Sequence, residues 1–157
     1  MLYINNVKFA KENRVLSGKL DLASVPRINE IDDYRGVVDY TLSGFMDELN
    51  RPTINLKVCG IISALCQNCL QEMQISLDNL SRITVFYNEE DLDSALFSGE
   101  STDVEDGVLA ENEFDVMMLV EDEVIMLLPL APKHDACLGL SYHDDVASPF
   151  SELKKLV

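Results

Sequence analysis

No apolar run approaches the roughly 20 residues that span a bilayer, and the start, Met1-Leu-Tyr-Ile-Asn-Asn6, has no basic stretch leading into a hydrophobic one. A membrane partner is not expected, and the cytoplasm is the expected compartment. Basic residues are scarce: 12 Lys and Arg stand against 28 Asp and Glu, a net charge of -16. Such a surface repels free nucleic acid at long range. No Lys or Arg occurs between Arg82 and Lys133, while 14 acidic residues fall between Glu89 and Glu123. The basic residues that exist (Lys8, Lys11, Arg14, Lys19, then Lys154 and Lys155) lack the interleaved aromatics of an RNA platform. Catalytic signatures are missing as well: there is no Gly-rich phosphate loop, no His-Glu-x-x-His and no nucleophile elbow. With two histidines, His134 and His143, neither an enzyme nor a small-molecule substrate is expected.

What is present is enough apolar material for one core. The chain has 157 residues, 47% of them hydrophobic, with no internal repeat and no linker, so a single domain over residues 1–157 is expected. Val15 to Asp21 reads as a first strand. Ser24 ahead of Val25 and Pro26 reads as the N-cap of a short helix running to about Ile31. Val38, Tyr40, Leu42, Gly44 and Met46 alternate with polar residues, as in a half-buried strand. After turn residues at Leu49 to Pro52, the alternation resumes at Ile54, Leu56 and Val58 and runs to about Ala64, which makes a hairpin. Met73, Ile75 and Leu77, then Ile83, Val85 and Tyr87, continue the pattern, so Cys66-Gln-Asn-Cys69 falls in a turn between antiparallel strands. The polar, Gly-containing zone near 89–112 is expected to be an acidic mobile loop. Phe150, Leu153 and Leu156 would share one face of a terminal helix.

The longest apolar stretch lies between Glu113 and Cys137. Met117, Val120, Val124, Leu127 and Leu128 fall at helical spacing, and Glu121, Asp122 and Glu123 keep a narrow face in solvent. Asp115 suits the first turn, and Pro129 and Pro132 stop the helix. The fold class expected is α+β: an antiparallel sheet, curled into a small barrel, with this helix from about Asp115 to Leu128 packed against it and short helices flanking. The carboxylates Glu121, Asp122 and Glu123 are candidates for meeting a basic partner through complementary charge; solubility alone also accounts for them.

Four cysteines are present, Cys59, Cys66, Cys69 and Cys137. In a reducing compartment free thiols or a metal are expected before disulfides. Cys66 and Cys69 have knuckle spacing, and His134 with Cys137 repeats it, which together would form a Cys3His zinc site. Free thiols at a turn with a solvated His134 is the other reading. A thioredoxin-like pair would need a helix after Cys66, and the flanking alternation says strand. Cys59 on a strand is a small buried hydrophobe, and His143 a solvated loop residue that could take the place of His134.

These residues also meet a family pattern. Glu113-Phe ahead of Val120-Glu-Asp-Glu-Val-Ile125, then Leu128-Pro-Leu-Ala-Pro-Lys-His134 and Cys137, resembles the YceD family of bacterial large-ribosomal-RNA-accumulation proteins. Cys66-Gln-Asn-Cys69 looks like that family's Cys-x-x-Cys element, and Ser148-Pro-Phe150 with Leu153 is similar to its C-terminal segment. The resemblance is most specific over Val120 to Cys137. It implies a non-enzymatic ribosome-biogenesis factor. Its partners would be large-subunit ribosomal RNA or its precursor, and a basic large-subunit ribosomal protein would suit the acidic zone. Other branches of the family carry further cysteines after the helix. Here Ser141 stands where the next would be, which leaves Cys66, Cys69, His134 and Cys137 as the metal set. The alternative is a small zinc-binding or thiol protein unconnected to ribosomes.

Overall fold

The computed structural model describes residues 2–31, 33–97, 106–135 and 137. In chain order its elements are β1 (Tyr3–Ile4), α1 (Asn6–Lys11), β2 (Val15–Asp21), α2 (Pro26–Asn29), β3 (Arg35–Met46), β4 (Pro52–Leu65), β5 (Glu72–Phe86), α3 (Glu89–Phe97), β6 (Asp106–Leu109), β7 (Phe114–Asp115) and α4 (Val116–Leu127). Period-two alternation builds the centre. β2 to β5 form an antiparallel meander, and β6 joins it in parallel beside the end of β5. The pairing Val38↔Gly60, Tyr40↔Val58, Leu42↔Leu56 and Gly44↔Ile54 puts the apolar residues of β3 and β4 on one face, with Asp39, Thr41 and Lys57 on the other. Side chains from α1 (Phe9), α2 (Ile28) and α4 (Val116, Val120, Val124) join Val38, Leu42, Leu56 and Val58 in one core. The class is therefore α+β. The expected barrel does not form among the described residues: β2 and β6 are the two ends of an open sheet, and helix side chains share the core that closure would have enclosed.

Local chemistry explains the joints. Asp47 turns β3 into β4: its carboxylate accepts from the amides of Leu49 (3.0 Å) and Arg51 (2.7 Å) and from Arg51 Nε (2.6 Å). Burial would raise the Asp47 pKa, but these donors outweigh it and hold it below its ordinary value. Gly44 lets α1 rest on β3, since a Cβ there would lie 2.5 Å from the Phe9 carbonyl oxygen. Ser24 does not cap α2. Its hydroxyl donates instead to the Asp21 carbonyl (2.6 Å), Val25 occupies the cap position without a side-chain bond, and the helix ends at Asn29. Asp115 is the cap of α4 itself, accepting from the amides of Met117 (2.9 Å) and Met118 (3.3 Å). The zone 89–112, expected as a loop, holds α3 and β6. Residues 98–105, His143, Ser148 to Phe150 and the expected terminal helix lie outside the described residues. No helix among the described residues is long and apolar enough to cross a membrane.

Candidate metal centre

The turn between β4 and β5 is built to present sulfur. The Cys66 amide donates to the Gln71 carbonyl (2.9 Å) and the Leu70 amide donates back to the Cys66 carbonyl (2.8 Å). Leu70 closes this loop in the left-handed region at φ 58°. The other half follows α4, where Pro129 and Pro132 prevent the helix from continuing. Tyr34 Oη donates to the Pro129 carbonyl (2.6 Å), and the Gln67 amide donates to the Pro132 carbonyl (2.8 Å). The second of these bonds pins the loop directly onto the cysteine turn. The Cys137 amide then donates to the His134 carbonyl (3.3 Å), turning the chain so that both side chains point the same way.

Cys66, Cys69, His134 and Cys137 converge, with all four donor atoms within 4.8 Å of one another. Cys66 Sγ lies 3.7 Å from Cys137 Sγ, and Cys69 Sγ lies 3.5 Å from His134 Nδ1. A tetrahedral zinc with Zn–S near 2.3 Å and Zn–N near 2.0 Å separates its ligand sulfurs by about 3.8 Å and a sulfur from a nitrogen by about 3.5 Å. The donor spacing fits such an ion. None of the four cysteines is in a disulfide. Cys66 is fully enclosed. Burial would raise its pKa, but the backbone amides of Cys69, His134 and Asn68 outweigh it and bring the thiol down to about 5. Cys137 is pushed up to about 11, by burial first and then by the neighbouring sulfurs of Cys69 and Cys66. One sulfur is thus already a thiolate at neutral pH, and the chain supplies three soft donors and one imidazole.

No family model, curated protein or solved structure matches this chain.

The acidic residues of α4 are placed differently from the solvated edge the sequence suggests. Glu123 Oε1 accepts from Asn79 Nδ2 (2.7 Å) and Ser81 Oγ (2.6 Å) on β5. Asp122 pairs with Arg27 on α2 at 2.7 Å, and Glu121 lies 4.0 Å from the same guanidinium. All three carboxylates therefore help tie α4 to its neighbours. A sequence signal for the Glu123 contact exists: Asn79 and Ser81 stand opposite Val58 and Leu56, at positions on the inner face where an apolar residue is expected. Cys59 stays apart from the cluster, half-buried on the polar face of β4 opposite Asp39 and Asp78.

Proposed function

We propose that the four converging donors hold one structural zinc ion and that the protein is a non-enzymatic, cytoplasmic ribosome-biogenesis factor supporting accumulation of large-subunit ribosomal RNA. The observation that carries the metal is the donor spacing, with Sγ to Sγ at 3.7 Å and Sγ to Nδ1 at 3.5 Å. Zinc suits three thiols and an imidazole better than a hard, oxygen-seeking cation does. Four protein ligands leave no open position for a substrate or an activated water, which supports a structural role. When bound, zinc supplies the cross-link between the loop after α4 and the β4–β5 turn. The chain's own residues do the rest: the amides of Asn68, Cys69 and His134 prepare Cys66, while Gln67 and Tyr34 hold the loop in place.

The ribosomal role is supported by the Val120 to Cys137 pattern and its likeness to the YceD family, together with a charge of -16 that suits a basic ribosomal protein. Loss of the gene should lower mature large-subunit RNA relative to small-subunit RNA, and an unchanged ratio in a clean deletion sinks the role. Metal analysis of protein purified without chelator should find one zinc per chain, lost in Cys69→Ser. The 3.7 Å contact between Cys66 and Cys137 favours a second reading, a thiol protein unconnected to ribosomes. Metal-free protein with four titratable thiols would select it.

A further inference from the structure

β5 is longer than its second neighbour. β4 pairs with it without interruption from Thr53↔Thr84 to Leu65↔Glu72, whereas β6 covers only Ile83 to Phe86. The Phe86 carbonyl accepts from the Ala110 amide (2.7 Å), so Phe86 turns its backbone polar groups toward the β6 side. Strand alternation then points those of Arg82, Leu80, Asp78 and Ser76 the same way. Arg82 sits where β6 begins to pair, and no strand pairs with those of Leu80, Asp78 and Ser76 among the described residues. The run has no Pro, Gly or bulge of the kind that blunts an edge. A cleft of about 580 Å³ straddles its end, with Asn79 and Arg82 on one side, Met126 and Leu127 of α4 on another and Asp106 where β6 begins. Leu80 and Met126 are exposed there. Arg82 packs over the Phe45 ring, and its Nε is buried without an acceptor among the described residues.

We propose that the free edge of β5 from Ser76 to Leu80 is a docking site that takes an extended, basic segment of a partner protein as an added strand. The backbone groups of the edge supply the affinity, and the flanking side chains choose the occupant. Glu72, Asp78, Asp106 and Glu123 flank the edge; among the described residues the cations near them are Arg82, Lys57 opposite Leu80 and Arg35 beside Glu72. Asp78 is mostly exposed, its nearest cation being Lys57 at 4.0 Å. Incoming lysines or arginines on the outer face would meet Asp78 and Glu72, while the alternate side chains of the same strand would lie over Met126 and Leu127. A nucleic-acid strand is a poor fit, because its phosphates would face this carboxylate set. The inference rests on the sheet edge and its charge, and it stands whether or not the partner is ribosomal.

The test is amide exchange on the full-length, isotopically labelled protein with a blocked decapeptide alternating Lys and Val. Protection of the Ser76, Asp78 and Leu80 amides by about tenfold or more is expected on saturation, with no binding by the matching Glu and Val peptide. The same Lys and Val peptide N-methylated at alternate residues should bind at least about tenfold more weakly, as should the parent peptide to Leu80→Pro, which removes an edge-facing donor without touching the β4 ladder. Equal binding of the N-methylated peptide, or unchanged exchange at Asp78 and Leu80 at saturation, overturns the proposal. So does protection of those amides by self-association without peptide, which would assign the edge to a second copy of the chain.

Discussion

At the residue scale, the four metal donors are not equivalent. Cys66 sits at a pKa of about 5 because three backbone amides face its sulfur, so between pH 6 and 8 it is already a thiolate. Cys137, at about 11, keeps its proton over that range. A metal that binds Cys137 as thiolate must displace this proton, and that step alone strengthens apparent zinc affinity by about tenfold for each pH unit gained. The sign is set by the raised pKa: the proton is still bound at neutral pH, so affinity climbs with pH through that range. Below about pH 5 the proton of Cys66 is added and the dependence steepens. Competition with a fluorescent chelator at pH 6, 7 and 8, corrected for the chelator's own protonation, should show this slope, and Cys137→Ser should lower it by one proton. An identical slope in wild type and variant would mean that Cys137 does not bind as a thiolate.

At the element scale, α1 shows how a helix of only six residues is held. Asn5 caps it through the Lys8 amide (2.7 Å), and fully buried Asn6 links it to the segment after β6. Asn6 Nδ2 donates to the Leu109 carbonyl (2.8 Å) and its Oδ1 accepts from the Glu111 amide (3.0 Å). The helix lies so close to β3 that only glycine fits at position 44, where a Cβ would be 2.7 Å from Ala10 Cα as well as 2.5 Å from the Phe9 carbonyl. Gly44→Ala must push α1 outward and should cost about 2 kcal/mol in chemical denaturation, within the usual range for overpacking. The same change at a loosely packed strand position costs far less, so a loss under about 0.5 kcal/mol would contradict the close approach. Elements with their own period were legible in the sequence: β2, the β3–β4 hairpin and α4 show apolar spacing of two or of three and four. β1, β6 and β7 were not, because strands of two to four residues carry no period and exist through partners distant in the chain, 112 positions for Tyr3↔Asp115 and 23 for Ile83↔Asp106. Ser24 misled for a related reason. Asp21 offers its hydroxyl a carbonyl acceptor, and a propensity for capping does not show which of two local bonds wins. The metal residues were legible as spacing, but their closure depends on Tyr34 and Gln67 gripping Pro129 and Pro132, contacts that no local pattern reveals.

At the scale of the whole molecule, the metal cluster and the core are separate sources of order. Cys66 lies just past the end of β4, and the donors from the other half come from the loop that leaves α4, whereas the core runs through Leu42, Leu56, Val58 and Val120 nearer the middle of the same elements. A chain with 21 core residues among those described, gathered from strands and helices, does not depend on a metal to collapse, unlike a zinc finger. Removing zinc should therefore open the junction and leave the sheet folded. After dialysis against a strong chelator, exchange should rise at the amides of Gln67, Leu70 and Cys137, whose acceptors lie in the two halves of the site. The amides of Leu42, Leu56 and Val58 should keep their protection at temperatures well below melting. Zinc at about 1,000 times its dissociation constant contributes about 4 kcal/mol. For a domain of this size that corresponds to a melting temperature lower by about 8 to 16 °C in the stripped protein. Simultaneous loss of protection across β3 and β4 would show that the ion holds the whole fold, and an unchanged melting temperature would show that the four donors hold no ion of consequence.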